Sequence, residues 1–163
     1  MRWDDVDKQV CSVARALSIV GERWTMLIIR DAFFGVRRFD EFHKSLGIAR
    51  NVLSDRLKKL VQAGVLERSE GPGHPEYRLT EKGLALQPVM IAMTHWGDTY
   101  LPHPDGARLT FVDRRDGEPI APMGVYAADG RRLKPREIKA TAGPGLADSQ
   151  RFERSVPVGP KET

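Results

Sequence analysis

The sequence predicts an α+β fold that is mainly α-helical, and three patterns predict it. Apolar residues recur at helical spacing through most of the region before Pro102, in a chain of 163 residues. Between residues 65 and 80 the spacing changes to the alternation that is typical of short strands. Eight of the 11 prolines lie at or beyond Pro102. We therefore expect a helical domain over residues 1–101, a small β-rich appendage over residues 102–142 and a disordered tail over residues 143–163.

Composition excludes several classes of protein. No apolar run approaches the roughly 18 to 20 residues that span a bilayer, so no membrane association is expected. The first ten residues carry three aspartates and lack the apolar stretch of a secretory signal, which favours a cytoplasmic protein. The single cysteine, Cys11, excludes an intramolecular disulfide and any zinc site with three or four cysteine ligands.

Four helices are expected before the strands, over residues 5–20, 24–34, 39–46 and 51–63. A glycine follows the first, second and fourth of these segments, as is common at helix C-termini. The second segment is apolar on most sides and should lie buried. The fourth carries one apolar stripe that would face the core, formed by Leu53, Leu57, Leu60 and Val61.

Two strands and a final helix complete the helical domain. Residues 65–68 and 76–80 read as strands joined by a turn rich in glycine and proline. Thr80 is expected to cap a helix that runs to about Tyr100. The apolar residues of that helix are many for an end helix, and its Met93 and Trp96 need a partner surface. A dimer interface would supply one.

The net charge of +4 is concentrated in one segment. Residues 37–59 carry seven basic and three acidic side chains, while the rest of the chain carries 19 of each. A solvated helix face would explain this charge alone. However, the segment consists of two helices joined by a tight turn at Gly47, which is a helix-turn-helix. The hairpin that follows makes it a winged helix, a fold that inserts its second helix into the major groove of DNA.

This geometry assigns candidate DNA contacts. The leading end of the second helix presents side chains that can read base edges, namely Arg50, Asn51 and Ser54. Contacts to phosphates are expected from residues on the helices and from one or other arginine of the wing, namely Arg37, Arg38, Lys44, Lys58, Lys59 and either Arg68 or Arg78. The expected partner is therefore double-stranded DNA.

Six segments of the sequence carry a family resemblance: CSVARAL (11–17), IVGERWTMLIIR (19–30), RFDEF (38–42), VLSDRLKKL (52–60), AGVL (63–66) and YRLTEKG (77–83). In this order they resemble the HxlR family of bacterial winged-helix regulators, over about residues 11–97. The resemblance implies a homodimer, held by the first and last helices, with two recognition helices on a palindromic operator. It also implies a transcriptional regulator, which we expect to be a repressor. Two departures are visible: Ala49 stands where the family usually has a capping serine, and the wing looks short.

Cys11 is the candidate sensor that the resemblance implies, since many family members use an N-terminal cysteine to detect oxidants or electrophiles. Arg15 lies one turn further and could lower the pKa of the thiol. The alternative is a buried structural cysteine. No second cysteine is available, so oxidation would end as a bridge between two copies of Cys11, a mixed disulfide or an alkylated adduct.

A small-molecule effector is the other possible signal. Its cleft would lie between the first helix, Trp24 and the last helix, although a core or dimer role for Trp24 and Trp96 is the simpler interpretation. The candidate lining residues are Trp24, Met93, Trp96 and Tyr100. A protein-interaction module that uses the winged helix without operator binding is a rival from a different class. No catalytic constellation, cofactor motif or His/Cys metal motif is present, so we expect no enzyme, no cofactor and no metal.

The appendage is expected to contain short strands over residues 107–112, 120–126 and 131–139, with turns at residues 116–117 and 129–130. It resembles, more weakly, the zinc ribbon that some family members carry at the C-terminus, with the cysteines replaced. Asp116, Tyr126 and Asp129 would occupy the former ligand positions. These residue types are poor ligands for tetrahedral zinc, so a metal-free unit is expected. It could cover the dimer helix or frame an effector pocket with Phe111 and Tyr126.

Overall fold

A computed structural model describes residues 11–70, 74–141 and 143–144 of the chain. The chain divides into two compact units, Met1–Gly106 and Ala107–Thr163. The first unit contains six helices and a two-stranded antiparallel sheet within the described residues, so the predicted mainly helical winged helix-turn-helix is confirmed. Its elements are α1 (Ser12–Val20), α2 (Thr25–Phe33), α3 (Phe39–Leu46), α4 (Arg50–Gln62), β1 (Leu66–Ser69), β2 (Glu76–Leu79), α5 (Glu81–Leu84) and α6 (Gln87–Tyr100).

The last helix departs from the prediction because it is two helices. The single helix expected after Thr80 ends at Leu84, and α6 begins again at Gln87. Pro88 explains the break, since proline has no amide hydrogen to donate to the carbonyl four residues earlier. Proline is tolerated in the first turn of a helix, and Pro88 occupies that position in α6. The part of the first predicted helix before Cys11 lies outside the described residues.

The core of this unit lies among α2, α3, α4 and the start of β1. Its buried apolar side chains are at most 4% exposed and comprise Ile28, Ile29, Phe42, Ile48, Leu53, Leu57, Leu60, Val65 and Leu66. The stripe predicted on the fourth helix is therefore the buried face of α4, except that Val61 is only partly buried. Truncating one such leucine to alanine typically removes about 2–5 kcal/mol of stability, so this face is fixed by packing.

The wing is joined to the helix-turn-helix by backbone hydrogen bonds. Strands β1 and β2 are antiparallel, with Leu66 opposite Leu79 and Arg68 opposite Tyr77. The amide of Tyr77 also donates to the carbonyl of Arg37 at 2.8 Å, just before α3 begins. The wing therefore lies against the entry to α3 as well as the exit from α4. Its tip, residues 71–73, lies outside the described residues, so the expected short reach of the wing stays a prediction.

Thr80 and Gly83 join the end of α4 to the start of α5. As predicted, Thr80 caps the helix: its hydroxyl oxygen accepts from the amide of Gly83 at 3.1 Å, and the hydroxyl donates to the carbonyl of Gly64 at 2.6 Å. Gly83 is buried, and a Cβ at this position would overlap the carbonyl oxygen of Val65. Lys82 adds a bond from Nζ to the Ala63 carbonyl at 2.7 Å. This junction is closely packed and leaves no room for a larger residue at position 83.

The second unit contains less strand than predicted. Its only named strands within the described residues are the pair β3 (Val125–Tyr126) and β4 (Arg132–Leu133), together with an isolated bridge between Val112 and Pro119. The longer strands expected over residues 107–112, 120–126 and 131–139 are therefore wrong over most of their length. Side-chain carboxylates accept some of the backbone amides instead, because aspartates in tight turns accept nearby amides.

Both predicted turns of this unit are present. The carboxylate of Asp116 accepts the amide of Glu118 at 3.0 Å, and that of Asp129 accepts the amide of Arg131 at 3.0 Å. Gly117 and Gly130 have positive φ, as these turns require. Among the described residues no three acidic, histidine or cysteine side chains are placed to hold a metal ion. The tail predicted over residues 143–163 lies outside the described residues, apart from residues 143–144. No helix in the described ranges is long and apolar enough to cross a membrane.

Candidate nucleic-acid interface

The turn between α3 and α4 fixes the position of α4. Gly47 adopts a left-handed conformation with φ 63°, and its amide donates to the carbonyl of His43 at 3.0 Å. Ile48 follows at 4% exposure and anchors the turn in the core. Glycine reaches this backbone region without strain, which explains why the turn can be so short. One face of α4 is thereby held against the protein and the other is presented to solvent.

The exposed face of α4 has a centre and two edges. Asn51, Ser54 and Lys58 are all exposed and lie at positions i, i+3 and i+7, so they share one line along the middle of this face. We call these three residues the α4 centre. Two of the predicted base readers, Asn51 and Ser54, are therefore placed together at the leading half of the helix. Lys58 follows them on the same line.

Arg50 lies at one edge and is engaged within the protein. Its Nη2 donates to Oδ1 of Asp40 at 2.7 Å, and its guanidinium lies 5.0 Å from the centroid of the Phe39 ring. Both partners belong to α3. Both side chains of this ion pair are well exposed, at 62% and 80%, but in this conformation Arg50 is directed toward α3, so the structure does not group it with the α4 centre.

Lys59 lies at the opposite edge, in an ionic cluster that the sequence analysis missed. Its Nζ is 3.0 Å from Oε1 of Glu22 and 3.3 Å from Oδ2 of Asp55. The Glu22 carboxylate, with a smaller effect of Asp55, raises the pKa of Lys59. Arg56 joins the same cluster through an ion pair with Glu22 and a 2.6 Å contact with Asp55. We call these four residues the Glu22 cluster.

Nothing in the sequence pattern could have revealed this cluster. Glu22 precedes Arg56 by 34 positions, and only the packing of the α1–α2 connection on α4 brings them together. The Nε of Arg56 also donates to the carbonyl of Arg23 at 3.2 Å. Lys59, predicted as a phosphate contact, is thus a half-exposed member of an internal network.

The remaining cations of the helix-turn-helix differ in whether they form an ion pair with a carboxylate. Among the described residues, no carboxylate forms an ion pair with Arg37, Lys44 or Lys58. Arg38 lies 3.9 Å from Oε1 of Glu76 in the wing. Three predicted phosphate contacts are therefore available without breaking an internal pair.

Glu41 fixes the start of α3 between these cations. Its carboxylate accepts the backbone amides of Arg38 at 3.0 Å and Arg37 at 3.1 Å. These two bonds, first that of Arg38 and then that of Arg37, lower the pKa of Glu41. The backbone that carries the two arginines is thereby held at the first turn of α3.

The wing arginines face opposite ways. Side chains alternate along a strand, so the register places Arg68 on the side of Leu66 and Tyr77, and Arg78 on the other side. Each is paired with a carboxylate of the wing. Arg68 lies 3.1 Å from Glu70, and Arg78 donates to Glu76 at 2.8 Å.

The N-terminus of α4 lacks a side-chain cap, as the substitution at position 49 predicted. Ala49 is the N-cap residue, and only its carbonyl is used, accepting the amide of Leu53 at 3.0 Å. Among the described residues, no hydrogen bond from the Asn51 side chain compensates for the missing cap. The first turn of α4 therefore presents backbone amides that are unsatisfied within the protein.

Cys11 is exposed and stands at the N-cap position of α1, where its carbonyl accepts the amide of Arg15 at 3.0 Å. The thiol is thus not buried within one subunit, and its role, as a sensor or as a structural residue, stays a prediction.

The residues of the expected effector cleft do not share one environment: Trp24 is partly buried, and the three residues of α6 are exposed. Trp24 packs against the core with φ 77°, a left-handed conformation that is costly for a large side chain. Met93, Trp96 and Tyr100 are instead 53%, 58% and 68% exposed. Together with Val89 they follow the i, i+4, i+7, i+11 spacing of one helical face, which we call the α6 stripe. Trp96 and Tyr100 contact each other, with ring centroids 5.4 Å apart.

Comparison with known proteins identifies relatives over most of the chain. A sequence profile of the HxlR-like helix-turn-helix family matches residues 19–105. The HTH-type transcriptional regulator Rv3095 of Mycobacterium tuberculosis is 44% identical over 138 residues, which cover 83% of this chain and 87% of Rv3095. That match is longer than the first unit, so it includes part of the second unit as well.

Two solved structures extend the comparison. PA1607, a proposed transcription factor, is 42% identical with a TM-score of 0.78, covering 84% of this chain and 98% of its own. The redox regulator HypR, solved in its reduced form, is 29% identical with a TM-score of 0.51, covering 55% of this chain and 92% of its own. The relatives and the shared fold are those of transcription factors and not of enzymes.

Proposed function

Because the chain belongs to the HxlR-like helix-turn-helix family of transcriptional regulators, we propose that it binds a palindromic operator as a homodimer and represses transcription. The observation that carries this proposal is the α4 centre. Asn51, Ser54 and Lys58 line the exposed face of the second helix of a helix-turn-helix, and no internal carboxylate neutralises Lys58 among the described residues. This is the face that enters the major groove in proteins of this architecture.

The roles of the individual residues follow from their surroundings. Asn51 and Ser54 carry the donors and acceptors that read base edges, whereas Lys58, Arg37 and Lys44 supply charge for phosphates. Arg38, Lys59 and the wing arginines Arg68 and Arg78 would add charge only where DNA displaces their carboxylate partners. Arg50 would leave Asp40 to reach a base, and its loss should therefore affect affinity less than that of Asn51.

The homodimer is supported by the α6 stripe. Four apolar side chains about half exposed or more on one helical face are costly in water, and a second copy of the same face would cover them. Val13 and Leu17, which are 66% and 40% exposed on α1, would widen the interface. A two-fold dimer would present two copies of α4 to the two halves of a palindrome.

The test of DNA binding is a titration of the protein against DNA from upstream of its own gene, measured by fluorescence anisotropy at several salt concentrations. We expect specific binding that weakens steeply with salt, because phosphate contacts release counterions. The control is DNA of equal length and scrambled sequence. Absence of specific binding would favour the rival interpretation, a protein-interaction module.

Cys11 supplies the signal that we propose for release from the operator, and its exposure supports this role. The relative HypR is a redox regulator. A quinone would be attacked by the Cys11 thiolate, forming a carbon–sulfur bond while the ring takes up the proton and becomes a hydroquinone. A diazene oxidant such as diamide would accept two electrons and two protons from two Cys11 thiols, which join as a disulfide between subunits.

The variant Cys11→Ser separates sensing from binding. We expect it to bind the operator as the wild type does and to stay bound when quinone or diamide is added. Release of the variant at the same reagent concentration as the wild type would remove Cys11 from the mechanism. In that case an effector at the aromatic residues of α6 becomes the alternative signal.

A further inference from the structure

A cavity of about 340 Å³ lies between the end of α1, the start of α2 and the C-terminal half of α4. It is distinct from the α4 centre and from the α6 stripe. Ile19 and Leu60 give it apolar walls, and Thr25, Arg56 and Lys59 contribute hydrogen-bond donors. The Glu22 carboxylate also lines the cavity, so an anionic ligand would have to replace it beside Arg56 and Lys59. Its size is at the lower end of the range for small-molecule sites, which suits a ligand of about one ring.

Thr25 is the first sign that the cavity is built for a ligand. The residue is 2% exposed, lines the cavity and begins α2. Among the described residues, none forms a hydrogen bond with its hydroxyl. The hydroxyl is therefore open to the cavity, where a ligand atom could accept a hydrogen bond from it or donate one to it.

Arg56 provides a second, independent sign. Its side chain is 19% exposed, and its Nε and Nη1 are used by Arg23, Asp55 and Glu22. Within the described structure its Nη2 makes no hydrogen bond, which leaves two guanidinium N–H groups available. The cavity wall therefore carries three hydrogen-bond donors without a partner in the described structure, one from Thr25 and two from Arg56.

We propose that this cavity binds a small monocarboxylate with an apolar body. The carboxylate would accept hydrogen bonds from the Thr25 hydroxyl and from Nη2 of Arg56, and the body would lie against Ile19 and Leu60. Lys59, whose Nζ is now shared between Glu22 and Asp55, would turn part of its charge toward the ligand. A neutral analogue would lose the charge-assisted bond to Arg56 and bind more weakly.

The ligand would also influence α4, and this consequence rests on the proposed function. Arg56 and Lys59 lie on the same helix as Asn51 and Ser54, so a ligand that competes with Glu22 for them changes the contacts that hold α4 against the α1–α2 connection. Binding to the cavity does not depend on that function, so the two can be tested separately.

The experiment is a calorimetric titration of the full chain with benzoate, phenylacetate and hexanoate, and with benzamide as the neutral probe. Binding is measured for the wild type, for Thr25→Val and Arg56→Lys, and for Thr94→Val as control. The Thr94 hydroxyl is partly buried and bonded within α6, donating to the Met90 carbonyl at 3.0 Å. Thermal unfolding confirms that each variant is folded, and Thr25→Val, which keeps the shape of the residue, serves if Arg56→Lys is unstable.

We expect saturable binding of at least one carboxylate to the wild type and to Thr94→Val, with benzamide at least 10-fold weaker. Thr25→Val and Arg56→Lys should each weaken the carboxylate at least 10-fold. The proposal is overturned if no carboxylate binds the wild type at millimolar concentration, or if Thr25→Val binds as tightly as Thr94→Val. An operator titration with and without the bound carboxylate is read separately, so loss of DNA binding and loss of carboxylate binding stay distinguishable.

Discussion

The exposed faces of α4 and α6 are both left uncovered by the first unit, yet they have opposite chemistry. The α4 centre is polar, with Asn51, Ser54 and Lys58 in line, whereas the α6 stripe carries Met93, Trp96 and Tyr100. Water solvates the first face at little cost and the second only at a cost. Exposed residues in this chain are therefore of two kinds. The α4 centre suits a charged, hydrated partner, and the α6 stripe suits an apolar surface such as that of the proposed second copy.

The largest effect is expected from a charge on the apolar face. Trp96→Glu should convert the proposed dimer to a monomer, because large aromatic residues at the centre of an interface commonly contribute about 2 kcal/mol or more. Affinity for a palindromic operator should then fall about 100-fold or more, since a monomer contacts one half-site. Analytical ultracentrifugation and anisotropy measure the two effects.

The matched control for this variant is Leu109→Glu, an exposed apolar residue of the second unit. It should leave the association state unchanged. If Trp96→Glu sediments as the wild type does, the α6 stripe is not the surface that a second copy of the chain covers.

The next largest effect concerns base reading on the polar face. Asn51→Ala should weaken specific binding by about 1–3 kcal/mol, roughly 5- to 150-fold, and leave binding to scrambled DNA nearly unchanged. Gln62→Ala is the control, because Gln62 is an exposed amide at the other end of α4. Equal losses in the two variants would argue against a reading role for the leading end of the helix.

Lys58→Ala should act on all DNA sequences alike. We expect a moderate loss of affinity for operator and scrambled DNA, with the salt dependence of log K reduced by about 1, as for the loss of one phosphate contact. Lys139→Ala, an exposed lysine of the second unit, is the control for the change in net charge. A loss confined to the operator would instead place Lys58 among the base readers.

A smaller gain is expected from restoring the missing cap of α4. Ala49→Ser should raise the free energy of unfolding by about 1 kcal/mol, because a serine oxygen can accept an amide of the first turn that now has no partner in the protein. Urea denaturation measures the change. Ser45→Ala, a helical position in α3, is the comparison for a serine that caps nothing. No gain at position 49 would mean that the turn at Gly47 holds the helix end in a geometry unsuited to capping.

The smallest effect is a dependence on pH at the start of α3. Two backbone amides lower the pKa of Glu41 in the folded state, so ionised Glu41 stabilises the fold above its unfolded pKa. That contribution is lost as pH falls through the folded pKa. The melting temperature of Glu41→Gln should therefore be lower than that of the wild type at pH 7, and the difference should shrink in acid. Glu67→Gln, which removes an exposed carboxylate of the wing, is the matched control for the loss of one negative charge.

The sequence predicted those parts of the fold that local signals determine. Helix α3 has the bounds that its apolar spacing and Gly47 indicated, and Thr80 caps α5 as expected. The last helix was predicted as one because its apolar period continues past Pro88, although the missing amide of that proline interrupts the backbone. The predicted strands of the second unit were too long because alternation of polar and apolar residues over a short segment is not specific to strands. In this unit such segments flank turns that are closed by aspartate side chains.

The candidate site was predictable in its location and less so in its detail. Periodicity separates the exposed side of α4 from the buried side, so the exposure of Asn51 and Ser54 on one line of the helix could be predicted from sequence alone. The ion pairs that hold Arg50 to Asp40 and Lys59 to Glu22 depend on helix packing and rotamers, which one-dimensional spacing does not encode. The same limit concealed the cavity, because the rest of α2 and the whole of α3 lie between Thr25 and Arg56 in the sequence.

The junction of Thr80 and Gly83 has a mechanical consequence. It connects the end of α4 to α5 through the hydrogen bonds of Thr80 and the close approach of buried Gly83 to the Val65 carbonyl, with no side chain at position 83 that could yield. In the proposed dimer, a change in the angle at which the two copies of α6 cross would therefore also move α4, because this closely packed junction links the two helices. The separation of the two recognition helices, and with it the spacing of the operator half-sites that the protein accepts, would then be set by residues that never touch DNA.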